Sequence, residues 1–249
     1  MTDFSALHFD VLSIAAWSPG LTNLDDWLSW AHEPVPLRVD GVPDVSRVPA
    51  GLRRRLDRRG KMALFTTFEV DPGADASTYV FATPLGEVQR SAEILDANSR
   101  HEPVSPSTFA SSVHNAIGAS YSIARGVRAP VVATSAGDDT AATAIIEALA
   151  AQVDVAQERP GADDAAGDVV VTYFDDVMPT VYAGRGVPSR GPYSWSIRLR
   201  GKGGTFGLVQ GGDRLLQTAE DDPGLTALRF LLGAIPRATT GTWLWCRCG

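Results

Sequence analysis

Cysteine is nearly absent from this 249-residue sequence, and its two examples, Cys246 and Cys248, sit almost at the C-terminal end. Such a pair builds no disulfide framework. Positive charge is also short: 22 Lys and Arg face 29 Asp and Glu, a net charge of −7. Nucleic acid and anionic membrane surfaces call for a basic face, so neither is expected as a partner. No run of about 18 apolar residues occurs, so no spanning helix is expected. Residues Met1 to Leu7 contain Asp3 and no basic residue, and do not read as a signal peptide. A cytoplasmic location is the expectation.

The familiar signatures of catalysis are missing as well. Ser135 lies in Thr134-Ser135-Ala136-Gly137, without the leading glycine of a nucleophile elbow. The glycines of Gly201–Gly207 have neither P-loop nor dinucleotide spacing and read as a flexible turn. His8, His32, His101 and His114 show no metal spacing, and Cys246-x-Cys248 lacks a second ligand pair. No metal or cofactor is therefore expected. Two local features remain. His114, inside a predicted helix, is either a general base or, as the local pattern favours, a hydrogen-bonded structural residue. Asp138-Asp139 opens a helix, where the partial positive charge of the terminus stabilises an anion, and Asp138 or Ser135 is a candidate cap.

What is present is ordinary globular material: 44% hydrophobic and 20% charged residues, in a chain long enough to bury a core. Short β-like runs alternate with helix-like runs, which predicts an α/β layered fold; one domain spanning 1–249 is expected. Strands are predicted at His8–Ile14, Ala63–Val70, Tyr79–Thr83, Pro130–Thr134, Asp168–Phe174, Trp195–Leu199 and Thr205–Val209, with an edge strand at Thr242–Cys248. Asn23 or Asp25 caps a short helix carrying Trp27 and Trp30 on one face. Leu52–Arg59 is basic and helical in pattern, and Gly86–Leu95 also reads as a helix. Segment 107–125 reads as one helix, with Phe109, Val113, Ile117 and Tyr121 at four-residue steps. Asp138–Gln152 is an Ala-rich helix, and Ala156–Gly167 a polar loop. Asp175–Pro192 reads as a Gly/Pro-rich connection, and Asp222-Pro223 starts a last helix over Leu225–Leu232.

The stretch Ser105-Pro106-Ser107-Thr108-Phe109-Ala110-Ser111-Ser112-Val113-His114-Asn115-Ala116 resembles a segment of β-ketoacyl synthases. In that family a helix opened by Ser-Pro leads to a glycine-proline turn, a strand, and the catalytic cysteine at a helix N-terminus. Here the turn is Gly126-Val127-Arg128-Ala129-Pro130, the strand Val131–Thr134, and the cysteine position falls on Asp138. Ser13–Gly20 with Trp27 and Trp30, the basic run Arg53–Lys61, Thr83-Pro84-Leu85-Gly86-Glu87, Phe174-Asp175-Asp176 and the Trp-rich end resemble short ketosynthase-like chain-length factors.

The resemblance implies a thiolase-like layered α-β-α fold, of N-terminal ketosynthase half length only. It implies a non-catalytic subunit that pairs with a ketosynthase, reaches an acyl carrier protein through the complex, and shapes the acyl-chain tunnel in polyene or polyketide biosynthesis. Asp138 holds no acyl group as a stable thioester, so the nucleophile would be missing. Carried over by register, Val131, Val132, Ala133 and Thr134 meet the partner across the dimer. Thr108, Phe109, Ser112 and Val113 face its tunnel. Two rivals stand beside this reading: a free-standing acyltransferase or hydrolase using Ser135 and His114, and a carrier-protein-binding scaffold without influence on chain length.

Overall fold

The computed structural model describes residues 6–158, 167–182, 191–201, 203–211 and 222–248. In chain order the elements are β1 (Leu7–Trp17), α1 (Leu24–His32), α2 (Ala50–Arg53), α3 (Arg58–Val70), β2 (Thr78–Ala82), α4 (Val88–Ser99), α5 (Pro106–Ala110), α6 (Ala116–Arg125), β3 (Val131–Thr134), α7 (Thr140–Glu158), β4 (Val169–Asp175), β5 (Tyr193–Arg200), β6 (Phe206–Gln210), α8 (Pro223–Leu231), β7 (Arg237–Thr240) and β8 (Trp243–Arg247). The strands form one sheet in the order β3-β2-β4-β5-β1-β6-β8-β7. Strands β3, β2 and β4 run parallel, and every other neighbouring pair is antiparallel.

The sheet is the middle of three layers, and strand alternation sorts the side chains between them. Val80, Ala82, Val169, Val171, Tyr173, Trp195 and Ile197 join one buried cluster with residues of α1, α7 and α8. Tyr79, Phe81, Val170 and Phe174 join another with residues of α3 and α6. The layered α-β-α arrangement read from the sequence is therefore the one observed. Helix α7 keeps Ala141, Ala144, Ile145 and Ala148 against the sheet, while Glu147, Ala150 and Asp154 face solvent.

Local signals explain most of the elements. Asn23, not Asp25, caps α1, its Oδ1 accepting from the Asp26 N–H at 2.9 Å. Trp27 and Trp30 on that helix meet edge to face at 5.2 Å. Asp222 caps α8 by accepting from Gly224 and Leu225, with Pro223 at the first helical position.

Five expectations need correction. Ala63–Val70 is not a strand but the body of α3. Asp57 caps that helix at Gly60, and the β-branched residues that suggested a strand are its sheet-facing side. Thr66 and Thr67 bond back to helix carbonyls and across to Ser194 and Thr172, at 2.8 and 2.7 Å. Tertiary context overrides strand propensity here.

Segment 107–125 is two helices, α5 and α6, separated by a turn. Ile117 and Tyr121 are buried, whereas Phe109 and Val113 are exposed. The basic stretch Leu52–Arg59 likewise divides between α2 and the start of α3.

The C-terminal strand is not an edge. β8 lies between β6 and β7, and Trp245 is fully buried. Finally, α7 runs to Glu158, beyond Gln152, so the loop predicted over 156–167 starts later; its residues 159–166 lie outside the described residues. Residues 183–190 of the predicted connection 175–192 lie outside them too.

Candidate functional site

The first strand of the sheet order sets the geometry. β3 pairs in parallel with β2, Val131 opposite Tyr79 through Thr134 opposite Ala82. Its other edge has no strand partner among the described residues. Val131, Val132, Ala133 and Thr134 are all half-buried. Val131 packs towards the α3/α6 side and Val132 towards the α7/α8 side. An edge without a strand partner is a ready template for pairing with another chain.

Helix α6 lies close against β3 because residue 118 is glycine. A Cβ there would stand 2.6 Å from Val131 Cγ1 and 3.1 Å from Phe81. The segment of α5, α6 and the turn between them carries three large apolar side chains in water: Phe109 at 64% exposure, Val113 at 46% and Ile123 at 71%. Surfaces of this sort mark sites of association.

The junction between β3 and α7 is polar and short. Gly137 takes a positive φ of 58°, and Gly137–Asp139 form one turn of 3₁₀ helix before α7. Thr140 closes the turn, its Oγ1 accepting from the Ala136 N–H at 2.9 Å and donating to the Gly137 carbonyl at 2.7 Å. Ser135 instead donates to the Pro84 carbonyl at 2.8 Å. Asp139 reaches the β7–β8 turn, accepting from the Thr242 N–H at 2.6 Å and its hydroxyl at 3.1 Å. Asp138 is half-buried at this junction.

Neither cysteine belongs to it. Cys246 and Cys248 lie on or just past β8, at the opposite side of the sheet from β3. Cys248 Sγ stands 3.2 Å from His8 Nδ1. Among the described residues no group of three His, Cys, Asp or Glu is placed to hold a metal ion, and no helix is long and apolar enough to cross a membrane.

His114 does not join Ser135. Its Nε2 is buried without a hydrogen-bond partner, and burial lowers its pKa. Its ring lies instead beside Gly86, where a Cβ would be 3.8 Å from Cδ2. Ser135 and His114 share no hydrogen bond.

Of the four helix residues expected to act together, Thr108 and Val113 line a cleft of about 500 Å³ between α2, α4, α5 and α6. Phe109 points to solvent, and Ser112 donates to the Phe109 carbonyl at 2.8 Å. The cleft also contains Glu87, Arg90 and Asp57, which sequence reasoning did not select. Glu87 is 5% exposed. Burial, then the neighbouring Asp57 carboxylate, pushes its pKa up to about 7 against the pull of Arg59 and Arg90. Thr83-Pro84-Leu85-Gly86-Glu87 attracted notice only as a resemblance; nothing in its pattern reveals that Glu87 is buried.

Residues 27–227 match the family model for the N-terminal domain of β-ketoacyl synthases. No curated protein matches the chain. Among solved structures, a ketosynthase in complex with its chain length factor from Xenorhabdus doucetiae is similar at 22% identity with a TM-score of 0.79. That match covers 97% of this chain and 100% of the other. A β-ketoacyl synthase from Burkholderia phymatum is similar at 12% identity and TM-score 0.52, covering 92% of this chain and 71% of that one. An oxazolomycin ketosynthase domain from Streptomyces albus is similar at 13% identity and TM-score 0.53, covering 83% of this chain and 47% of that one. The mixed α/β architecture is that of the N-terminal half of thiolase-like ketosynthases.

Proposed function

The chain belongs to the family of β-ketoacyl synthase N-terminal domains, and we propose that it is a non-catalytic chain-length factor that pairs with a ketosynthase. The observation that carries this reading is the β3–α7 junction. Asp138 stands there in a turn without a thiol, and both cysteines belong to the other side of the sheet. A carboxylate tolerates the positive end of a helix, but holds no acyl thioester.

The open β3 edge and the exposed apolar α5–α6 surface support a partner docked alongside. Val131, Val132, Ala133 and Thr134 are assigned to that contact. Thr108, Phe109, Ser112 and Val113 are assigned to the wall of the tunnel that receives the growing acyl chain. The end-to-end likeness to a chain from a ketosynthase–chain length factor complex is consistent with this pairing. The acyl carrier protein is met through the complex, in polyene or polyketide biosynthesis, in the cytoplasm.

A free-standing acyltransferase or hydrolase is disfavoured because the Ser135 hydroxyl is committed to Pro84 and His114 offers it no base. Changing Ser135 and His114 to Ala should leave the activity of the reconstituted complex unchanged. The decisive experiment compares product lengths made by a ketosynthase with the wild-type chain and with Ser112→Phe. A bulky ring in the tunnel wall shortens the product, because packed cavities do not readily absorb extra volume. An intact complex with unaltered product length would favour the scaffold reading instead.

A further inference from the structure

The two cysteines, idle in the proposed function, sit in a defined arrangement. Strand pairing sets His8 of β1 opposite Gly207 of β6, Gly207 opposite Cys246 of β8, and Cys246 opposite Arg237 of β7. Paired residues share a sheet face, so these four form one row. Gly207 makes room in the middle of it. A Cβ there would stand 3.0 Å from Cys246 Sγ and 3.1 Å from Cys248 Sγ, so both sulfurs lean over one point of the sheet. The Cys248 backbone is held by its N–H, which donates to the Thr205 carbonyl at 3.1 Å. Its Sγ lies 3.2 Å from His8 Nδ1. Both cysteines are half-buried, within reach of a small solute. Two residues of strand rise are about 6.4–6.8 Å, at the long end of the Cα separations that a disulfide spans. A bridge at that limit is readily reduced again, since strained disulfides are the labile ones.

The surroundings rank the two thiols. Cys248 has a base within hydrogen-bond reach, the pattern of an activated nucleophile. Burial, and then the neighbouring Cys248, pushes the Cys246 thiol up against the pull of Arg237. We propose that the pair is a thiol–disulfide exchange site for small-molecule disulfides, with Cys248 as attacking thiol, His8 as its base and Cys246 as resolving thiol. His8 Nδ1 takes the Cys248 proton, and the thiolate attacks one sulfur of the small disulfide. That S–S bond breaks, the departing thiolate takes the proton from His8, and a mixed disulfide remains on Cys248. Cys246 Sγ then attacks Cys248 Sγ and expels the second half of the molecule, which leaves with the Cys246 proton. The protein gives up two electrons and gains a Cys246–Cys248 bond, while one small disulfide becomes two thiols.

The test uses the purified full chain and glutathione disulfide, followed by intact mass and peptide mapping. The expected product is the chain lighter by two hydrogens, with Cys246 joined to Cys248 and no glutathione retained. Cys246→Ser stops at one glutathione on Cys248. Cys248→Ser reacts at least about tenfold more slowly, because the remaining thiol has no base beside it. His8→Ala slows the reaction by a similar factor but reaches the wild-type product. His8 is exposed, so this variant folds as the wild type does, which its melting temperature verifies. Two free thiols after prolonged exposure, a chain-to-chain disulfide as the product, or equal rates for the wild type and His8→Ala overturns the proposal. The measurement needs no ketosynthase, so its outcome is independent of the chain-length-factor reading.

Discussion

Glu87 shows what a single buried acid does to stability. Its folded pKa of about 7 lies above the ordinary 4.5, chiefly through burial. The folded form therefore binds its proton more tightly than the unfolded chain. The stabilising contribution is full below about pH 4.5 and is lost as pH rises through about 7. The swing is on the order of 3 kcal/mol at most. Glu87→Gln should flatten the stability profile across that window and raise stability at pH 8, measured by urea unfolding at a series of pH values; parallel profiles for the two proteins would contradict it. Sequence reading missed this residue because burial of a lone Glu has no local signature. In the helix segment, Thr108 and Val113 line a cleft of this chain. The turn at residues 111–115 was not legible, and it is what sends Phe109 outward and Ile117 inward.

At the scale of elements, α3 and α6 carry the lesson. The run Ala63–Val70 has strand composition, yet its hydroxyls form a buried ladder with the sheet: Thr67 to Thr172 at 2.7 Å, and Thr172 to Ser196 at 2.8 Å. Thr172→Val keeps the shape and removes one partner from each neighbour, leaving Thr67 its bond to the Ala63 carbonyl and Ser196 its bond to Thr66. It should cost about 1–3 kcal/mol in chemical denaturation; a neutral result would mean the ladder is dispensable. Helix α6 rests on β3 through Gly118. Gly118→Ala places a methyl in the 2.6 Å gap to Val131 and should destabilise by about 1–3 kcal/mol. The same change displaces the helix beside the β3 edge, so it should also weaken pairing with the ketosynthase more than the melting temperature alone explains. Capping was read well where it is local, as at Asp222-Pro223. It was read poorly at α7, where Thr140 closes the turn and Asp139 ties down the β7–β8 turn 103 residues away.

For the whole molecule, the alternation of strands and helices was enough to foresee layers, but not the order of the strands. β1 lies between β5 and β6, which are nearest in sequence, and β7 displaces β8 from the edge. Such pairings depend on long-range packing that no local pattern encodes. What the order does deliver is an edge at β3 that no strand covers among the described residues. A stable subunit interface of this class buries on the order of 2,000 Å² or more, so the chain expressed alone should self-associate or be poorly soluble. Ala133→Pro, which removes an N–H on the side of β3 away from β2, should abolish docking while the α3/α6 cluster stays intact.

The central claim is that this chain is one half of a ketosynthase pair. Light scattering on the chain co-expressed with the ketosynthase of its own organism tests it most directly. A single particle with the mass of a one-to-one complex or a multiple of it is expected. Two separate species, with this chain a well-behaved monomer, would contradict it.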